Sequence, residues 1–158
     1  MKILLATDGS EQSEAAVKEV AARPYPPNTK VRIVSAYERT PLITRLEPMG
    51  VSREFYAKAD NFALKAAEDA VENAAKILRE KNPALTVTTV AIEGSPKSVI
   101  LDEAEKFAAD LIVVGSHGYG MVEGFLLGSV SNAVALHAAC SVEIVRSRKR
   151  RMSKSKKQ

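Results

Sequence analysis

The stretch Asp110-Leu111-Ile112-Val113-Val114-Gly115-Ser116-His117-Gly118, followed nine residues later by Gly128-Ser129-Val130-Ser131, decides the architecture. Leu111 to Val114 is an unbroken apolar run rich in β-branched residues, which predicts a strand buried on both faces. Such strands belong to parallel sheets, and parallel strands need helical crossovers on either side. Both neighbours of the run supply one. Upstream, Gly94-Ser95-Pro96 offers a turn, an N-cap and a first-turn proline for a helix reaching about Ala108. Downstream, Ser129 to Ala139 reads as a helix and Val142 to Val145 as a closing strand.

Further out the alternation continues. Lys2 to Thr7 is a short buried strand broken by Asp8-Gly9-Ser10. Ser10 can cap a helix whose positive end carries Glu11 and Glu14, with Ala16, Val17, Val20 and Ala21 on one face, and Pro24-Tyr25-Pro26-Pro27 stops it. Val31 to Ala36 is a second strand and Pro41 to Gly50 a loop. Ser52 to Lys81 carries the longest helical pattern, with Phe55, Ala59, Phe62, Ala66, Ala70, Ala74, Ile77 and Leu78 predicted to form the buried stripe. Asn82-Pro83 ends it, and the Val- and Thr-rich segment Leu85 to Ile92 is the third strand. This order predicts an α/β fold: a doubly wound, Rossmann-like, five-stranded parallel sheet with helices on both faces. With strand order 3-2-1-4-5, the winding reverses between strands one and four, and Asp8 and Gly115 face the crevice there.

The chain has 158 residues, the size of one domain, and a formal charge of +4. That charge is unevenly distributed. Eight of the 23 basic residues and none of the 19 acidic ones lie between Arg146 and Gln158, which leaves 15 against 19, or −4, for the rest. The division expected is a folded domain over 1–146 and a basic, disordered tail over 147–158. Cys140 is the lone cysteine, so an internal disulfide is excluded, and a buried, unreactive thiol is expected. With only His117 and His137, no Cys/His metal cluster can form. No apolar run approaches the roughly 20 residues that span a bilayer, and Met1 to Ala6 is too short for a secretory signal. A cytoplasmic location is the resulting expectation.

The glycines that follow the fourth strand suggest an anion site. A glycine at a strand end admits a close approach of backbone to ligand, another three residues later permits left-handed dihedrals that turn amides inward, and a helix opening at Ser129 presents unpartnered N–H groups. Other phosphate motifs fail. A Walker loop needs a lysine, and none lies between Asp110 and Ser147; the dinucleotide fingerprint beginning at Gly118 would need glycine where Glu123 stands. A receiver domain would place its aspartate after the third strand, whereas Asp8 follows the first.

The spacing that remains is G-x2-G-x9-G-[ST], carried by Gly115, Gly118, Gly128 and Ser129. With Ala6-Thr7-Asp8-Gly9-Ser10 and Gly94-Ser95-Pro96 in their places, residues 1–146 resemble the ATP-binding branch of the universal stress protein family. The resemblance implies ATP as ligand, with magnesium or manganese carried on its phosphates and no protein metal cage. It implies that Thr7 and Asp8 meet the ribose and a neighbouring phosphate or metal, that Ala36 offers backbone to adenine, and that Gly115 approaches the ribose. Gly118, Gly128, Ser129, Val130 and Ser131 would take the phosphates through amides and hydroxyls, with Ala6, Val114 and His117 completing the surroundings. Rival readings stand beside these: Asp8 as a helix cap, His117 as a turn residue, Ser129 as a cap, and Tyr119, Met121, Phe125 and Leu126 as packing residues.

The motif holds neither lysine nor arginine, so slow hydrolysis at most is expected, and a nucleotide-dependent switch rather than an enzyme. The resemblance also implies a homodimer through strand 142–145, although Ser141 departs from a frequent Cys-Pro-Val start, here Cys140-Ser141-Val142, and Glu143 sits mid-strand. An alternative is an interaction protein that binds AMP, cyclic AMP or a partner instead of ATP. The 147–158 tail offers weak, salt-sensitive contact with nucleic acid or an anionic surface.

Overall fold

The computed structural model describes residues 1–39, 53–118 and 127–147. The expected loop over 41–50, the stretch 119–126 with its aromatic and apolar residues, and the tail from 148 onward lie outside the described residues. Among these residues five strands and four helices alternate: β1 (Lys2–Ala6), α1 (Glu11–Ala22), β2 (Lys30–Tyr37), α2 (Arg53–Lys81), β3 (Thr86–Glu93), α3 (Pro96–Phe107), β4 (Leu111–Gly115), α4 (Ser129–His137) and β5 (Ser141–Val145). All four strand pairings are parallel, and the order is β3-β2-β1-β4-β5, as the element order predicts.

Strand alternation sends side chains to two separate cores. Ile3, Leu5, Val31, Ile33 and Val113 pack against Val17 and Val20 of α1 and Val71, Ala75 and Leu78 of α2. Leu4, Ala6, Val34, Ile112 and Val114 face Val99, Ile100 and Ala104 of α3 and Val134 of α4. β1 lies at the centre, and Ile3, Leu4 and Leu5 are fully buried. The helix ends follow local chemistry. The Ser10 hydroxyl accepts the Ser13 N–H at 3.3 Å to cap α1, Pro96 begins α3, and Ala108 closes α3 in a left-handed conformation at φ 51°.

The buried stripe predicted for α2 needs correction. Ala70, Ala74 and Leu78 are buried, joined by Ala67, Val71 and Ala75, but Phe55 is 61% exposed and Phe62 77% exposed, with Ala59 and Ala66 exposed as well. The reason is length. A helix of 29 residues is about 43 Å long, whereas an eight-residue strand is about 26 Å, so about the first eleven residues of α2 exceed the length of the sheet it packs on.

Candidate functional site

The carboxyl ends of β1, β2 and β4 open onto one cavity of about 410 Å3. Every site residue expected from sequence lines it. Ala6, Thr7 and Asp8 come from β1 and its exit, Ala36 from β2, and Val114, Gly115, His117 and Gly118 from β4 and its exit. Gly128, Ser129, Val130 and Ser131 come from the start of α4. Three further residues join them: Ser13 from α1, and Pro96 and Ile100 from α3. Ala36 of β2 with Pro96 and Ile100 of α3 contribute apolar surface, while β4 and the start of α4 contribute hydroxyls and main-chain groups alongside the apolar Val114 and Val130. None of these lining residues is lysine or arginine, and Asp8 is the only acid among them.

The turn after β1 is built around hydroxyls. Ser13 Oγ donates to the Ser10 carbonyl at 3.0 Å and lies 3.1 Å from Thr7 Oγ1. Since the single Ser13 proton goes to Ser10, the Thr7 hydroxyl is the donor in that pair. Thr7 Oγ1 in turn accepts the Gly9 N–H at 3.2 Å, and Asp8 Oδ1 accepts the Ser10 N–H at 2.9 Å. Asp8 therefore closes the turn, and the cap of α1 is Ser10, which removes the capping role considered for Asp8. Gly9, at φ 78°, supplies the left-handed step the turn requires.

The exit of β4 is fastened at three points. Ser116 donates its N–H to the Val145 carbonyl at 2.8 Å, its own carbonyl accepts the Gly128 N–H at 2.8 Å, and the Ser131 hydroxyl donates to the Gly115 carbonyl at 2.6 Å. His117 Nδ1 lies 3.0 Å from Ser116 Oγ. The Gly128 amide is thus occupied within the protein, contrary to its expected availability for an anion. Gly128 is the N-cap of α4 and has no side chain to receive the first amides. The Ser129, Val130 and Ser131 N–H groups consequently have no intrahelical acceptor, at the positive end of the helix dipole.

The glycines serve purposes that differ from those read in the sequence. A Cβ on Gly115 would meet Gln12 O at 2.7 Å, Gln12 C at 2.8 Å and Ser13 N at 2.9 Å, so β4 passes directly against the first turn of α1. Gly118 is not among the glycines with positive φ, and the left-handed conformation expected there is absent; its Cβ would lie 2.9 Å from Asp8 Oδ2. Gly128 packs on the His117 backbone, where a Cβ would approach Cα to 3.2 Å. Among the described residues, no group of three His, Cys, Asp or Glu side chains is arranged to hold a metal ion. No helix among them is long and apolar enough to cross a membrane.

Comparison with known proteins follows the same outline. The model of the Universal stress protein family matches residues 1–146. A relative from Staphylococcus aureus (strain USA300), assigned to the universal stress proteins, is 32% identical over 145 residues, which cover 91% of this chain and 82% of its own. The structure of hypothetical protein MJ0577, solved to assign its biochemical function, superposes with a TM-score of 0.79 at 28% identity, covering 94% of this chain and 97% of that one. A universal stress protein in complex with cAMP superposes with a TM-score of 0.61 at 25% identity, covering 92% of this chain and 96% of its own.

Proposed function

Because the chain belongs to the universal stress protein family, we propose that it is a stress-response regulator that binds ATP in the cavity between β1 and β4. The observation that carries this reading is the polarity of that cavity. An apolar wall at Ala36, Pro96 and Ile100 suits a purine, and first-turn amides at Ser129 and Val130 suit phosphate at the opposite side. Asp8 and Gly115, between these two sides, face the ribose. Magnesium or manganese is carried on the phosphates, with the Asp8 carboxylate nearby to offset its charge. With no lysine or arginine among the described lining residues to stabilise a transferring phosphoryl group, the bound nucleotide acts as a conformational signal and is hydrolysed slowly at most.

Acid extraction of freshly purified protein, followed by nucleotide chromatography, tests the assignment. ATP is the expected product, backed by calorimetric titration of the stripped protein with Mg-ATP. Protein that carries no nucleotide and gives no heat with ATP, AMP or cAMP overturns it. A second reading, in which AMP or cAMP is the ligand, draws support from the same lining, which among the described residues holds one acid and no strong cation and so favours fewer phosphate charges. One structural neighbour was solved with cAMP. The titration separates the two readings by order of affinity.

The regulator is proposed to be a cytoplasmic homodimer. Among the described residues β5 pairs with β4 along one edge only, and its mid-strand Glu143 is held by Arg23 at 2.7 Å, which leaves the other edge to a second copy. Sizing chromatography at micromolar concentration should give twice the chain mass of 17.1 kDa, and a monomer would refute it. The basic residues from 148 onward are proposed to add weak anionic-surface or nucleic-acid contact, lost on their deletion or in high salt.

A further inference from the structure

We propose that Ser13 and Ser131 are positioning residues, which hold the two sides of the cleft against Gly115 and do not donate to the ligand. This rests on the nucleotide reading for its ligand, but its geometry stands without it. Both serines line the cavity, yet they are only 4% and 3% exposed. Each hydroxyl has one proton, and each proton is already given to a backbone carbonyl: Ser13 to Ser10 at 3.0 Å and Ser131 to Gly115 at 2.6 Å. A phosphate at neutral pH is chiefly an acceptor, so a hydroxyl that has spent its proton inside the protein faces it with lone pairs only. The two residues instead meet at Gly115. Ser13 N would lie 2.9 Å from a Cβ on that glycine, and Ser131 holds its carbonyl. Through Ser13 the Thr7–Ser10 turn, and through Ser131 the first turn of α4, are referred to one strand end, so the span between Asp8 and the α4 amides is set by two buried hydroxyls.

The test titrates adenosine, AMP and Mg-ATP into wild type, Ser131→Ala and Ser131→Thr, with circular dichroism as the check on folding. Ser131→Ala should weaken AMP and Mg-ATP, which reach the α4 amides, by about fivefold, the equivalent of one neutral hydrogen bond, and Ser131→Thr should restore them. Unchanged affinities would overturn the proposal, and a loss without faster amide exchange at Gly128 would make Ser131 a phosphate donor and overturn it as well. A second arm needs no ligand. In amide hydrogen exchange, Ser131→Ala should speed exchange at Gly128, and Ser13→Ala at Gly9 and Ser10, by about fivefold or more. Unchanged protection at these amides also overturns it. Should the wild type bind none of the three ligands, the nucleotide reading fails and the exchange arm alone decides the role of the serines.

Discussion

Gly115→Ala isolates the contact on which the cleft is built. The new Cβ would lie 2.7 Å from Gln12 O, 2.8 Å from Gln12 C and 2.9 Å from Ser13 N, and all three are backbone atoms within the first turns of a capped helix. No rotamer change relieves backbone. β4 and α1 must separate by about 0.7 Å to reach ordinary van der Waals contact, and they do so against a core in which Ala16 and Val113 are fully buried. Overpacking of this kind costs about 1–3 kcal/mol, and a rigid obstruction belongs near the upper value. For a chain of this size that lowers the melting temperature by roughly 5–10 °C. Thermal unfolding followed by circular dichroism, with urea midpoints at 25 °C, measures it. Gly118→Ala is the matched control, because among the described residues its Cβ meets only Asp8 Oδ2, the far end of an exposed side chain. Its stability should change by less than about 0.5 kcal/mol, while its nucleotide affinity falls as Asp8 is displaced. A Gly115→Ala protein that melts within about 1 °C of wild type would refute the packing argument and leave the glycine without a structural reason.

The split character of α2 predicts that Leu78→Ala costs about 2–5 kcal/mol in urea unfolding, whereas Phe62→Ser changes stability by less than about 0.5 kcal/mol. Equal losses would mean that Phe62 is covered in solution. Arg32 Nη1 lies 2.6 Å from Glu103 Oε1, and the Glu103 side chain is 8% exposed. Arg32→Ala should therefore destabilise by about 3 kcal/mol, and an Arg32→Met, Glu103→Met pair should recover most of the loss, as the two urea midpoints will show. Burial, reinforced by the charge of Asp110, pushes the Cys140 thiol above its ordinary range. The folded state thus keeps a proton that the unfolded chain loses at lower pH, so this contribution to stability is complete below the unfolded pKa of about 8.5 and declines as pH rises through it. Cys140→Ala should lack that alkaline decline, and wild-type Cys140 should alkylate with iodoacetamide more slowly than a free thiol at pH 8.5.

Much of the architecture was legible because parallel strands and capped helices leave local signs. Leu111 to Val114 could hardly be anything but a doubly buried strand, and Ser10 and Ser95-Pro96 marked helix starts to the residue. The α2 stripe was misread because helical periodicity reports an apolar face without reporting how far the opposing surface extends. Phe55 and Leu78 look alike in sequence, yet only Leu78 has a sheet beneath it. The cleft residues were legible as spacing and illegible as contacts. Nothing local tells that the Gly128 amide is taken by Ser116 or that Gly115 is obliged to be glycine by Gln12, residues far away along the chain. Ser13 and Ile100 belong to no motif and Pro96 reads only as a helix start, although a topological signal for all three exists. Helices that follow β1 and β3 must begin at the same edge as the crevice, so residues in their first two turns are candidates by topology alone.

The bond between the Gly128 N–H and the Ser116 carbonyl makes the chain leave the cleft and return to it at adjacent points. Whatever length of polypeptide connects these two residues enters the molecule through a single doorway, and lengthening it fourfold would add only about 1.2 kcal/mol of closure entropy. An insertion between positions 118 and 127 should therefore cost the fold little beyond that closure term, because the two ends it joins are already bonded to each other.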